Sequence, residues 1–121
     1  MMSKLGNPNS LENLLKHLSN DIDNIQSNFD AYQNECFDKR SPEFFCLELN
    51  GEAGELANLE KKAWKGKTIP VERFEDEAAD VLIALINYSN ARGISLGKSV
   101  HKKLLAIEEK RFMLEKNGER F

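Results

Sequence analysis

Between Phe45 and Ala63 the residues Phe45, Leu49, Glu52, Leu56, Leu59 and Ala63 recur at steps of four, three, four, three and four. That period marks one face of an amphipathic helix; a strand, which alternates sides at every residue, cannot reproduce it. All but one of these side chains are apolar, and the exception is Glu52. An ionised carboxylate on a core-facing stripe is costly unless it is paired or coordinates a metal.

Glu52 is followed three residues later by Glu55, and the next helical pattern repeats the spacing with Glu77 and Asp80. Residues three apart on a helix are neighbours, so each pair projects from one face. Two such helices packed antiparallel would gather four carboxylates. Like charges that close do not all stay ionised without a positive charge among them, and a hard divalent cation bound only by oxygen, Mg2+ or Mn2+, answers that need. The competing reading of the same acids is a solvated face formed by Glu48, Glu52 and Glu55, with Lys61 and Lys62 downstream.

The rest of the chain reads as helices around this pair. Ser10 is a candidate cap for a first helix with Leu11, Leu14, Leu15, Leu18, Ile22, Ile25, Phe29 and Tyr32 on its apolar face. Gln33 to Arg40 lose the pattern and predict a connection. Ser41 and Pro42 restart the chain as N-cap and first helical residue, and this second helix runs to about Trp64. Lys65 to Pro70 break it, and Val71 to Ala91 form a third helix whose Val81–Ile86 stretch is apolar all round and predicts burial on several sides. Gly93 is read as a stop and Ser95 as the next cap. The last helix carries Leu96, Val100, Leu104, Ile107 and Phe112 on its buried side and ends at Asn117 and Gly118. The expected fold is all-α, a four-helix arrangement with a flexible N-terminus over 1–10, one helical domain over 11–116 and a tail over 117–121.

Several classes are excluded. The net charge of −3 supplies no basic field for long nucleic acid. No apolar run is long enough to span a bilayer, and the N-terminus lacks the apolar core of a signal peptide, so the expected location is cytoplasmic. Cys36 and Cys46 show neither a CxxC nor zinc spacing and are expected to be reduced. Gly93 to Ser99 looks like a Walker loop but has one residue too few and follows a helix instead of a strand. Glu-x-x-His pairs of a di-iron bundle are lacking, since Leu14 precedes His17 and Lys98 precedes His101 by three.

With these residues in place, Gly51-Glu52-Ala53-Gly54-Glu55-Leu56 and Glu77-Ala78-Ala79-Asp80-Val81-Leu82 resemble the G-E-x-G-E-L and E-x-x-D-V-L segments of MazG-like all-α nucleotide pyrophosphohydrolases. The similarity spans roughly Pro42 to Arg111 and in motif lies nearest the branch resembling dCTP pyrophosphatases, which also has glycine where Gly51 stands. It implies Glu52, Glu55, Glu77 and Asp80 as metal ligands, Lys103 as a phosphate or nucleotide contact, and completion of the bundle as a homodimer or dimer of dimers. The asparagine that the family often carries four residues after its lysine is Ile107 here. The basic residue three further on is Lys110, and Asn117 and Arg120 are candidate replacements downstream.

The implied reaction is hydrolysis of a nucleoside triphosphate to monophosphate and pyrophosphate with Mg2+ or Mn2+, with Glu52 or Glu55 orienting the water. Lys61, Lys62, Lys65 and Lys67 are candidates for the distal phosphates, or equally for helix-end charge compensation. Trp64 is the candidate base-stacking residue, while Phe45 is assigned to the core. Alternative readings are a phosphoribosyl-ATP pyrophosphohydrolase or dUTPase-like relative, and a non-catalytic helical nucleotide-binding or interaction protein.

Overall fold

The computed structural model describes residues 8–121, except for the side chain of Ser19. Most of the expected flexible N-terminus, residues 1–7, lies outside the described residues. The fold is all-α, with no strand among the described residues and no helix long and apolar enough to cross a membrane. One continuous helical segment comprises α1 (Asn9–His17), a π-helical stretch (Leu18–Ile22) and α2 (Asp23–Cys36). It is followed by α3 (Pro42–Trp64), α4 (Val71–Arg92) and α5 (Leu96–Lys116). The chain groups into two compact units, one of described residues up to Ser27 together with Ser95–Phe121, the other Asn28–Ile94.

In the first unit α1 begins one residue before the expected cap. Pro8 holds the cap position in extended geometry, and its carbonyl accepts from Leu11 and Glu12 N–H at 3.0 and 3.2 Å, so Ser10 is already helical. Proline suits this place because its fixed φ and missing N–H cost nothing before the first turn. Beyond it, the π-helical stretch is explained by what it meets. Ser95 caps α5 by accepting from Lys98 N–H, and its hydroxyl donates to Asp23 at 2.9 Å. Leu96 N–H donates to Gln26 Oε1 at 2.6 Å. Gly97 is buried against the Leu18 carbonyl, where an added Cβ would lie 2.5 Å from that oxygen. The widened turn and the missing side chain together let the α5 terminus seat on the first helix.

These contacts correct the expected face of the first helix. Its less exposed residues are Leu11, Leu15, Leu18, Ile22, Asp23, Gln26, Phe29 and Gln33, whereas Leu14, Ile25 and Tyr32 are exposed at 46%, 46% and 56%. Gln26 replaces an apolar residue because its side-chain oxygen satisfies the first N–H of α5, and the helix continues to Cys36 through the polar stretch expected to be a connection.

The second unit is built on α3 and α4. Ser41 Oγ accepts from Phe44 N–H at 3.3 Å, with Pro42 first in α3, as expected. Apart from Pro42, the only residues of α3 that are not exposed are the six of the predicted stripe, with Phe45 and Leu59 deepest. α3 ends in a Schellman motif: Lys67 N–H reaches the Lys62 carbonyl, Gly66 N–H reaches the Ala63 carbonyl, and Gly66 adopts φ 96°. α4 closes in the same way at Gly93, φ 76°, confirming the predicted stop. The expectation that Val81–Ile86 is buried all round fails. Ala84 and Ile86 are buried, but Leu82 and Ile83 are 55% and 41% exposed, because only one face of α4 meets α3.

Candidate metal centre

The α3 and α4 helices pair Glu43 with Arg92 across 3.7 Å, Glu52 with Asp80, and Glu55 with Glu77. One residue number rises as its partner's falls, which is the signature of an antiparallel helical hairpin. It brings together all four acids singled out in the sequence. Glu52, Glu55 and Glu77 each offer a carboxylate oxygen within 4.8 Å of the others, and Asp76, Glu77 and Asp80 form a second such group through Glu77.

The cluster is only partly solvated: Glu48, Glu55 and Asp76 are exposed. Glu52 and Glu77 are half-buried, and the Oε2 atom of each is sealed from solvent with no hydrogen-bond partner. Burial, then the charges of Asp80 and Glu55, pushes the Glu52 carboxyl above its ordinary range. Glu77 is pushed up to about 7, first by its hydrogen bond with Glu55, then by burial and by the charges of Glu55 and Glu52. A shared proton relieves the repulsion at lower pH; at higher pH a cation is the remaining way to neutralise it. The donors are all hard oxygens, a set that fits Mg2+ or Mn2+. His17 is not part of the site: it hydrogen-bonds Asp21 at 3.0 Å on the surface.

Asp76, to which sequence reasoning assigned no part in the site, is exposed yet contributes an oxygen to the second group. Its position next to Glu77 was the available signal. An added Cβ at Gly51 or Gly54 would meet nothing within 4 Å, so no described helix uses them for close approach.

The other predicted residues are placed as follows. Lys62 and Lys65 are exposed at the end of α3, with Lys62 two turns beyond Glu55 on the same side of the helix. Trp64 is 90% exposed. Lys103 and Lys110 are exposed on α5, in the other unit, and Lys110 Nζ lies 5.3 Å from the centre of the Phe121 ring. Ile107 is half-buried among the apolar residues of α5. Cys36 and Cys46 are free thiols.

Sequence reasoning missed a cleft in the same unit. Two adjoining cavities of about 430 and 380 Å³ share Gln33, Arg40, Phe45 and Asn87. Glu48 and Ile83 line the second cavity. They stand one turn from Glu52 and Asp80 along α3 and α4, so the cleft wall leads to the acids. Asn87, two turns beyond Asp80 in an otherwise apolar run, was the overlooked signal.

No family model matches this chain, and no curated protein or solved structure does.

Proposed function

We propose that the protein is a Mg2+-dependent nucleoside triphosphate pyrophosphohydrolase of the MazG-like kind, acting on the nucleotide pool of the cytoplasm. The observation that carries the reading is the convergence of Glu52, Glu55, Glu77 and Asp80, with two carboxylate oxygens sealed and unpaired. Crowded carboxylates with two sealed, unpaired oxygens are what a divalent cation compensates. A triphosphate, itself carrying about four negative charges, approaches such a site only through cations.

Bound Mg2+ would polarise the phosphate oxygens and lower the pKa of a coordinated water. Glu52, Glu55 and Glu77, whose carboxylate oxygens lie within 4.8 Å of one another, would hold the ion together with Asp80. Glu55, the exposed member of the set, orients the attacking water and takes its proton. Water adds at the α-phosphorus and the α–β bond breaks, giving monophosphate and pyrophosphate. Lys62 and Lys65 receive the distal phosphates. Trp64 stands exposed beside them at the helix end.

The working form is a homodimer or dimer of dimers. Few apolar side chains are fully buried, whereas Leu47 and Leu82 are more than half exposed and Ile83 is 41% exposed, apolar area that a second copy would cover. A monomeric mass by light scattering at micromolar concentration would refute this part.

The test of activity incubates the protein with Mg2+ and each common, deoxy and damaged nucleoside triphosphate, then separates products by chromatography. Monophosphate plus pyrophosphate, lost in Glu55→Ala, is the expected result. Absence of product from every triphosphate would overturn it, and phosphoribosyl-ATP and calorimetric nucleotide binding would then separate a related hydrolase from a non-catalytic binding protein.

A further inference from the structure

The cleft between the C-terminal part of α2 and the α3–α4 hairpin contains an unsatisfied group outside the acidic cluster. Asn87 is 8% exposed, borders both cavities, and its Oδ1 is sealed with no hydrogen-bond partner. A buried amide oxygen without a donor costs stability that folding alone does not recover, and such atoms call for an explanation. We infer that Asn87 is the residue that reads the hydrogen-bonding edge of a nucleobase seated in this cleft. The inference rests on the nucleotide reading and deepens it.

The chemistry of the walls selects a flat, neutral, polar guest. Asp30, Asp38 and Glu48 face the cleft alongside Lys39 and Arg40, so the lining has no positive excess and is no phosphate site. The exposed Phe44 ring meets the buried Phe45 edge to face at 5.5 Å and has the Arg40 guanidinium 4.8 Å over it, so the Phe44 and Arg40 planes are the surfaces offered to a base. Each cavity is of the size that encloses small ligands. The route from Glu48 and Ile83 to Glu52 and Asp80 leaves the phosphates at the acids while the base occupies the cleft.

The carboxamide offers an acceptor beside a donor. A partial turn about its terminal torsion, which is soft, brings Oδ1 out of its sealed position to stand beside Nδ2 at the cleft. There it pairs with the adjacent donor and acceptor of a base edge, the geometry by which asparagine reads adenine in nucleic acids. Replacing the amide donor with a second acceptor should therefore favour guanine, which presents two adjacent donors.

The experiment is a nitrogen-15 NMR titration of the full chain in EDTA with adenosine, cytidine, guanosine and uridine at millimolar concentration. The expected result is movement of the Asn87 side-chain amide signals and unequal affinities among the four nucleosides. Asn87→Leu should bring the four to within about twofold of one another, and Asn87→Asp should move guanosine up the order. Phe44→Ala, at an exposed ring, should weaken all four alike. Nucleosides that leave the wild-type Asn87 signals unmoved overturn the inference without needing any variant, as does an unchanged order of affinities in a folded Asn87→Asp. Because phosphates and metal are absent, nucleoside binding without triphosphate turnover would sustain the base site and refute the hydrolase reading. Turnover without nucleoside contact at Asn87 would do the reverse.

Discussion

Metal binding at the acidic cluster should release protons, in an amount that follows from Glu77. Its carboxyl is pushed up to about 7 by the hydrogen bond with Glu55, by burial and by the neighbouring charges. A carboxylate that ligates a metal must be ionised, so an ion that binds expels whatever proton Glu77 still holds. Taking about 7 for that pKa, the group gives up about 0.9 proton per ion at pH 6, about 0.5 at pH 7 and about 0.1 at pH 8. Glu52, raised by burial and by Asp80 and Glu55, adds to this on the acidic side. Apparent affinity for Mg2+ should accordingly drop by about tenfold per pH unit below 7 and level off above it. Calorimetric titration with MgCl2 in two buffers of contrasting ionisation enthalpy reads the proton count directly. A binding heat independent of buffer at pH 6 would refute the reasoning, and so would a proton release that survives unchanged in Glu77→Gln.

The same raised pKa makes the metal-free protein less stable as pH rises from about 4.5, the ordinary carboxyl value, to about 7, since over that window the native state holds the proton and the unfolded state does not; melting temperatures across that range in EDTA should fall, and Mg2+ should restore them. Glu55→Ala should abolish turnover while raising the melting temperature of the metal-free protein at pH 8, because it removes one of the crowded charges; a lowered melting temperature would assign Glu55 a structural role. Gly97→Ala should cost about 1–3 kcal/mol in urea unfolding, because its Cβ would lie 2.5 Å from the Leu18 carbonyl and backbone must move; an unchanged midpoint would show that α5 does not seat as described.

What was legible in the sequence depended on whether one helix could state it alone. The stripe from Phe45 to Ala63, the Ser41 and Ser95 caps and the glycine stops are local signals, and each is realised. The meeting of Glu52 and Glu55 with Glu77 and Asp80 was also readable, because two consecutive helices joined by a short turn pack antiparallel and the spacings then coincide. Features set by distant partners were not readable. Gln26 is buried because Leu96, seventy residues away, needs an acceptor. Leu82 and Ile83 read as core by composition, yet α3 covers only one side of α4. The cleft draws on α2, α3, α4 and the segment joining α2 to α3, and no periodicity within one helix signals such a convergence.

The hairpin also bears on how the chain reaches its structure. Every cross-helix acid pair joins residues within Asn28–Ile94, so the centre assembles from contacts of modest sequence separation and does not await pairing of the chain's two ends. Short loop closure favours rapid docking of α3 on α4. At neutral pH, however, the surfaces that must meet carry the crowded carboxylates, and their repulsion opposes the docking step itself. Refolding in stopped flow should therefore be faster with Mg2+ than in EDTA at pH 8, with the two rates converging at pH 5, where protons do the neutralising.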